Sequence, residues 1–269
     1  MKPIKVGVIG AGFVGGAIIN AYRKAGIEVL VVDPKISKFT IKQLIHEQPN
    51  MIFVAVPSPA NEDGSCDTSI LERVWEQLLP YKQPIVSKVT ATPNIYEKLK
   101  RNNFVYSPEF LTAANANQDY LDATTCIIGG GDDVTQHLVS KYLKAAQPLL
   151  EQFMIGDIKT ASLIKYTINS FLATKVVFLN ELEMLCRQVG VDYNDIKTSI
   201  MTDKRMGTSH FNVPGLHDQY GFGGACFPKD TKALLHYAKS LKVNLDVLES
   251  AVIKNDKVVK NNRDPFGLF

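Results

Sequence analysis

Through the first half of the chain, short apolar runs alternate with segments whose apolar positions recur at helical spacing. IKVGVIG from Ile4, EVLVVD from Glu28, MIFVAV from Met51, PIVSKV from Pro84, NFVYS from Asn103 and TTCIIGG from Thr124 read as strands. Between them, residues 14–25, the stretch around Ile41 and residues 71–79 read as helices. Strand, helix, strand in repetition predicts a parallel sheet. Strands that are apolar throughout, rather than at every second position, are expected where helices cover both faces.

After Gly156 the texture changes. Residues 158–189 read as one long helix, with apolar positions at Ile164, Ile168, Phe171, Leu172, Leu179, Leu182 and Leu185. Helical pattern returns over 193–201 and from Asp230 onward, across a loop holding Gly207, Pro214, Gly215 and the glycines of 221–224. There is no internal repeat or low-complexity tract. The expected fold class is α/β: a Rossmann-type doubly wound parallel sheet domain over 1–156, then an all-helical domain over 157–269 built on the long connecting helix.

Composition narrows the function classes. At 269 residues, 45% hydrophobic and 21% charged, the chain can bury cores for two moderate domains. A net charge of +3 with scattered basic residues argues against nucleic acid or an anionic membrane as partner, and leaves a small anionic substrate open. Cys66, Cys126, Cys186 and Cys226 lie far apart, with no CxxC pair or Cys/His cluster, so neither a metal site nor a disulfide scaffold is expected. No apolar run reaches the roughly 18 residues of a membrane span, and the chain opens directly into a strand pattern. A cytoplasmic protein is the expectation.

Two stretches carry chemistry. Gly10, Gly12 and Gly15 form GxGxxG where the first strand meets the first helix, a turn that lets backbone approach a pyrophosphate at a helix N-terminus. Asp33 ends the second strand at about the 20-residue distance at which a carboxylate meets a ribose diol. An acid there repels a 2′-phosphate, which favours NAD over NADP. Lys38 is placed to face the cofactor or solvent.

The other stretch is GFGGACFPKD, residues 221–230, which sets Cys226 between a glycine run and a helix start, with Pro228 suited to a first helical position. Helix amides and the charge of Lys229 favour a thiolate there, the form that serves covalent catalysis. Lys165 and Asn169 are four apart on the long helix and share a face with Val176 and Asn180. An ammonium and a carboxamide projecting together can stabilise an oxyanion, or can simply form a wet helix face. Asp230 is placed to orient water or to cap the helix, and Glu109 follows a strand where a carboxylate can act as a base.

These motifs occur together as GAGFVG at 10–15, VPSP at 56–59, DGSCDTS at 63–69, SKVT at 87–90, SPEFL at 107–111, IKYTINSFLATKVVFLNE at 164–181 and GFGGACFPKD at 221–230. In that order the chain resembles the UDP-glucose/GDP-mannose dehydrogenase family over essentially its whole length. The resemblance implies NAD-dependent four-electron oxidation of a nucleotide-sugar alcohol to a carboxylate. Cys226 would carry a thiohemiacetal and then a thioester; Lys165 and Asn169 would hold the reacting oxygen. Asp230 would position water, and Thr90 and Glu109 would serve thioester hydrolysis. NAD would be held by Gly10, Gly12, Phe13, Val14, Gly15, Asp33, Lys38, Pro57, Thr90 and Lys229. The sugar and diphosphate would meet Glu109, Phe110, Leu111, Lys165, Asn169, Phe222 and Gly223. A homodimer paired through the long helix is also implied.

Three departures from the family pattern stand out. Ala113 replaces a second acid after SPEFL, and Ser162 replaces an acid before the lysine motif. The chain ends at NNRDPFGLF, about where a third, sheet-containing domain that covers the nucleotide would begin, so weaker nucleotide-sugar binding is expected unless a partner supplies that surface. Two rival readings remain: a 3-hydroxyacid dehydrogenase of the 3-hydroxyisobutyrate type, which has no use for GFGGACFPKD, and a homologue that binds NAD or a nucleotide sugar with altered or no dehydrogenase activity.

Overall fold

The computed structural model describes residues 4–112, 114–215 and 218–260; Ala113 and the terminal NNRDPFGLF lie outside them. The chain divides into two compact units, Met1–Pro59 with Cys66–Lys165, and Ala60–Ser65 with Tyr166–Phe269.

The first unit is a seven-stranded sheet of order β2-β1-β3-β4-β5-β6-β7. Its strands are β1 (Lys5–Ile9), β2 (Glu28–Val32), β3 (Met51–Val54), β4 (Ile85–Ser87), β5 (Phe104–Tyr106), β6 (Thr125–Gly130) and β7 (Gln152–Gly156). The connecting helices are α1 (Phe13–Lys24), α2 (Ile41–His46), α3 (Ser69–Leu78), α4 (Pro93–Lys98), α5 (Ala116–Leu121) and α6 (Asp133–Lys144). The long helix α7 (Ile158–Val189) starts here and continues into the second unit.

The central strands alternate between two cores, which is why they read as continuous apolar runs. Ile52 and Val54 of β3, Ile85 of β4 and Phe104 of β5 pack with α2, α3, α4 and the start of α7. Met51 and Phe53, Val86 and Val105 pack on the other face with α1, α5 and α6. Each strand therefore buries both faces, as a doubly wound sheet requires. Thr40 and Gln43 close α2 with a reciprocal capping box.

Two features differ from the sequence reading. β5 and β6 pair antiparallel, with Val105 opposite Gly130 and Tyr106 opposite Gly129. The link between them contains only the six-residue α5 and makes no crossover, yet a strand covered on both faces has the same apolar pattern in either direction. The seventh strand, β7, was not expected: it forms the sheet edge and exposes Met154 and Ile155, so it lacks the buried signature.

The second unit is helical: the remainder of α7, then α8 (Tyr193–Ile200), α9 (Phe227–Ser240) and α10 (Asp246–Lys260). One small core joins Ala173 and Val177 of α7 to Phe222, Leu235, Leu248, Ala251 and Val252. A second joins Leu179, Cys186, Tyr193 and Phe211. The α7 stripe is only partly covered: Leu179 is buried, whereas Phe171, Phe178, Leu185 and Val189 are more than half exposed.

Candidate active site

In the first unit, the strand order reverses between β1 and β3, and the crevice at their C-terminal ends is where open α/β sheets take ligands. Gly10 follows β1 with φ +91°, and a Cβ there would stand 2.5 Å from the Ala55 carbonyl oxygen just after β3. A Cβ on Gly15 would stand 1.9 Å from the Gly10 oxygen. Only glycine fits either place, whereas a Cβ on Gly12 would meet nothing within 4 Å. Gly12 caps α1 without a side-chain hydrogen bond, and no acid occupies the first turn, so the helix N-terminus presents amides to that open space. Phe13 is exposed there and Val14 half-buried.

Asp33 stands one residue past β2. Its Oδ2 accepts from the Ala11 amide at 2.8 Å and its Oδ1 from the Lys35 amide at 2.8 Å. Those amides, Ala11 first, hold the carboxyl below its ordinary range, so it is an anion tied to the glycine turn. Lys38 and Pro57 are exposed, and half-buried Thr90 accepts from the Ser58 hydroxyl through its carbonyl at 3.0 Å.

The same unit assembles Lys165 with Glu109 and Phe110. The Lys165 ammonium, 4% exposed, donates to the Glu109 carbonyl at 2.5 Å and to its Oε1 at 3.1 Å, and lies 5.0 Å from the centre of the Phe110 ring. Glu109 Oε2 accepts from the Leu111 amide at 2.8 Å, so both carboxylate oxygens are engaged. Phe110 is exposed and Leu111 half-buried. Ser162, at the position of the family acid, is fully buried and donates to the Ala91 carbonyl at 2.7 Å, which ties α7 to the loop after Thr90.

In the second unit, Cys226 is exposed and occupies the N-cap position of α9, with Pro228 in the first turn. Asp230, 1% exposed, accepts from the Asn169 side chain at 2.5 Å and from the Lys229 ammonium at 2.5 Å, and its amide bonds the Cys226 carbonyl at 2.8 Å. Asn169 is thus an interior residue that grips the first turn of the cysteine helix, and Asp230 is a buried acceptor as well as a first-turn acid. Gly223 is exposed. Phe222 is buried in the unit's core.

Sequence reasoning gave no role to several supporting residues. Asn255 of α10 accepts from the Phe222 amide at 2.6 Å and returns a bond to the Phe222 carbonyl at 3.0 Å, while Asn180 accepts from the Gly221 amide at 3.0 Å. The loop before the cysteine is also held by Lys175, which donates to the Met206 and Ser209 carbonyls at 2.9 and 2.7 Å. In the first unit, Lys88 is buried beside Ser107. Its signal was visible: a lysine inside the apolar run PIVSKV.

Comparison with known proteins gives two consecutive matches. Residues 35–147 match the NAD binding domain, and residues 159–257 the central domain, of the UDP-glucose/GDP-mannose dehydrogenase family. The first match starts just past the glycine turn and Asp33. A UDP-glucose 6-dehydrogenase of Rickettsia bellii is 32% identical over 251 residues, 84% of this chain and 56% of that protein. The chain spans about half the length of the curated relatives it matches.

The fold is shared with solved dehydrogenase structures. A UDP-glucose dehydrogenase of Pyrobaculum islandicum has TM-score 0.78 at 24% identity, covering 94% of this chain and 68% of that one. A GDP-mannose dehydrogenase of Pseudomonas aeruginosa has 0.65 at 23%, covering 96% and 70%. A 3-hydroxyisobutyrate dehydrogenase of Mycobacterium tuberculosis has 0.70 at 14%, covering 97% and 96%. Fold alone therefore does not separate the two dehydrogenase types. The matches to both domains do: the chain belongs to the UDP-glucose/GDP-mannose dehydrogenase family, with NAD as the cofactor of its first domain.

Proposed function

We propose that the chain catalyses NAD-dependent oxidation of a nucleotide-sugar primary alcohol to the carboxylate, with UDP-glucose as the first substrate to test, in the cytoplasm and as a homodimer. The observation that carries the reading is buried Asp230, bonded to Asn169 and Lys229 one turn after the exposed Cys226 at a helix N-cap. A hydroxyacid dehydrogenase has no use for such a cysteine.

The residues present fit NAD. The open space at Gly12, the uncapped start of α1 and the anionic Asp33 match a pyrophosphate and a ribose diol. Bound NAD supplies the acceptor for each electron pair removed from the sugar.

The chain's own residues do the rest. Lys165 and Asn169 hold the alcohol oxygen and later the oxyanion through charge-assisted hydrogen bonds. The Cys226 sulfur adds to the aldehyde carbon to give a thiohemiacetal, and oxidation of that carbon leaves a thioester. Water, oriented by Asp230 and by Thr90 with Glu109, attacks the thioester carbonyl, which releases the carboxylate and returns the thiol. Covalent capture keeps the aldehyde from leaving between the two oxidations.

The dimer reading rests on Phe171, Phe178 and Leu185, spaced by seven residues along α7 and each more than half exposed. Such a stripe on one helix face suits a second copy of the same helix.

The test is NADH production by the purified chain with a panel of UDP-glucose, UDP-N-acetylmannosamine and GDP-mannose. Two NADH per sugar consumed are expected for one member of the panel, and Cys226→Ala is expected to stop after the first. A Cys226→Ala enzyme that still forms the carboxylate refutes the thioester route. No NADH with any sugar refutes the catalytic reading and favours a homologue that only binds its ligands.

A further inference from the structure

The unit that holds the Lys165–Glu109 pair also holds a second buried ammonium that the proposed chemistry does not use. Lys88 directly follows β4, and its amide bonds the Val54 carbonyl of β3 at 2.8 Å. Its ammonium donates to the Ser107 hydroxyl at 2.9 Å, and Ser107, directly after β5, lies 3.2 Å from the Cys126 sulfur of β6. Lys88 is 6% exposed, Ser107 fully buried and Cys126 8% exposed. The lysine's hydrogen-bond partner is thus a hydroxyl in a dry setting, where an ammonium normally requires a carboxylate. Burial accordingly pushes Lys88 below its ordinary value, while the Cys126 thiol and the Glu109 carboxylate favour its charge and the Lys165 ammonium opposes it.

The charges do not balance. The Glu109 oxygens are committed to Lys165 and to the Leu111 amide, whereas the Lys88 ammonium donates to the Ser107 hydroxyl. The excess positive charge sits at the C-terminal edge of β4 and β5, the edge at which open α/β sheets take ligands. A neutral alcohol leaves that excess uncompensated, whereas an oxyanion or a carboxylate completes it.

We propose that Lys88 is a positioning residue that gives the Glu109–Lys165 site its preference for an anionic group at the reacting carbon, acting through space without touching the substrate. The inference rests on the nucleotide-sugar reading and names what selects the charged states of the sugar over the neutral one.

The test compares binding of UDP-glucuronate and UDP-glucose by calorimetry to the full chain. The two carry the same diphosphate and base, so the ratio of their dissociation constants isolates the charge on the sugar. Lys88→Met is expected to weaken the acid relative to the alcohol by about tenfold, with UDP-glucose and NAD affinities held within about twofold. Lys88→Arg, which keeps the charge, is expected to keep the wild-type ratio. Where Lys88→Met does not fold, Lys88→Gln, neutral but able to bond Ser107, takes its place. An unchanged ratio in the neutral variant, or equal weakening of both ligands, overturns the assignment. A wild-type chain that binds neither sugar overturns the nucleotide-sugar reading itself, and this inference with it.

Discussion

The pair formed by Lys165 and Glu109 tests the site geometry without reference to any substrate. Side-chain exposure is 4% for the lysine and 10% for the glutamate, with 3.1 Å between Nζ and Oε1. Removing one member of a buried pair costs about 3–5 kcal/mol, chiefly because the other charge is left unpaired. Glu109→Gln retains an amide oxygen as acceptor, and the Glu109 carbonyl still bonds Lys165, so the expected cost is about 2–3 kcal/mol. Lys165→Met leaves the carboxylate its bond from the Leu111 amide and is expected to cost about 1–2 kcal/mol. The double variant strands neither member of the pair and is expected to cost about 1–2 kcal/mol in total, a coupling of about 2 kcal/mol.

Urea unfolding followed by tryptophan fluorescence measures these values in the right unit. Trp75 is the chain's single tryptophan, is 9% exposed in α3, and packs edge-on against Phe104 at 4.7 Å, so its emission reports the sheet that carries the pair. Equal m-values across the four proteins license the comparison. Single costs that simply add in the double variant would refute the argument, because they would mean that neither group senses the other's charge.

Other positions give independent tests. Gly15→Ala forces a Cβ to 1.9 Å from the Gly10 oxygen, so the turn must open; loss of NAD binding in a folded variant is expected by fluorescence titration, and unchanged affinity would refute the assignment of the turn. Asp33→Asn gives up the stability of a carboxyl held below its ordinary value. That stability is present above the unfolded-state value of about 3.9 and lost as pH falls through the folded value, so the variant's deficit at neutral pH should shrink in acid melts. Asn255→Ala strands the buried amide and carbonyl of Phe222 at a cost of about 2–3 kcal/mol; helical circular dichroism is the readout, because Trp75 lies in the other unit. Phe178→Asp puts a charge in the exposed α7 stripe, and light scattering is expected to show the proposed dimer for the wild type and a monomer for the variant. A wild-type monomer would count against the pairing.

What the sequence revealed depended on how local the physics was. The limits of α7, residues 158–189, were legible because a long amphipathic period needs no tertiary information. The glycine turn was legible because GxGxxG meets a strand end, and the structure gives the mechanism: two glycines are excluded volume and one opens onto space. β7 was illegible because an edge strand with exposed Met154 and Ile155 carries no burial signature. The direction of β6 was illegible for the opposite reason, since complete burial erases the alternation that would reveal it.

Side-chain roles followed the same rule, and the pair on α7 shows why. Four-residue spacing placed Lys165 and Asn169 on one face, but it left open whether that face is wet or buried. The answer depended on residues distant in sequence. Lys165 is buried because the loop after β5 delivers the Glu109 carbonyl and carboxylate, 56 positions away. Asn169 is buried because α9 delivers Asp230, 61 positions away. Each of these polar groups is removed from water and bonded to a group from a different element, at a desolvation cost that packing alone would avoid by using Leu or Ala. A helix that needed only to join two units had no reason to bear that cost on neighbouring turns. The burial of these two groups, more than their identity, is therefore the strongest physical support for the catalytic role proposed for this stretch of α7.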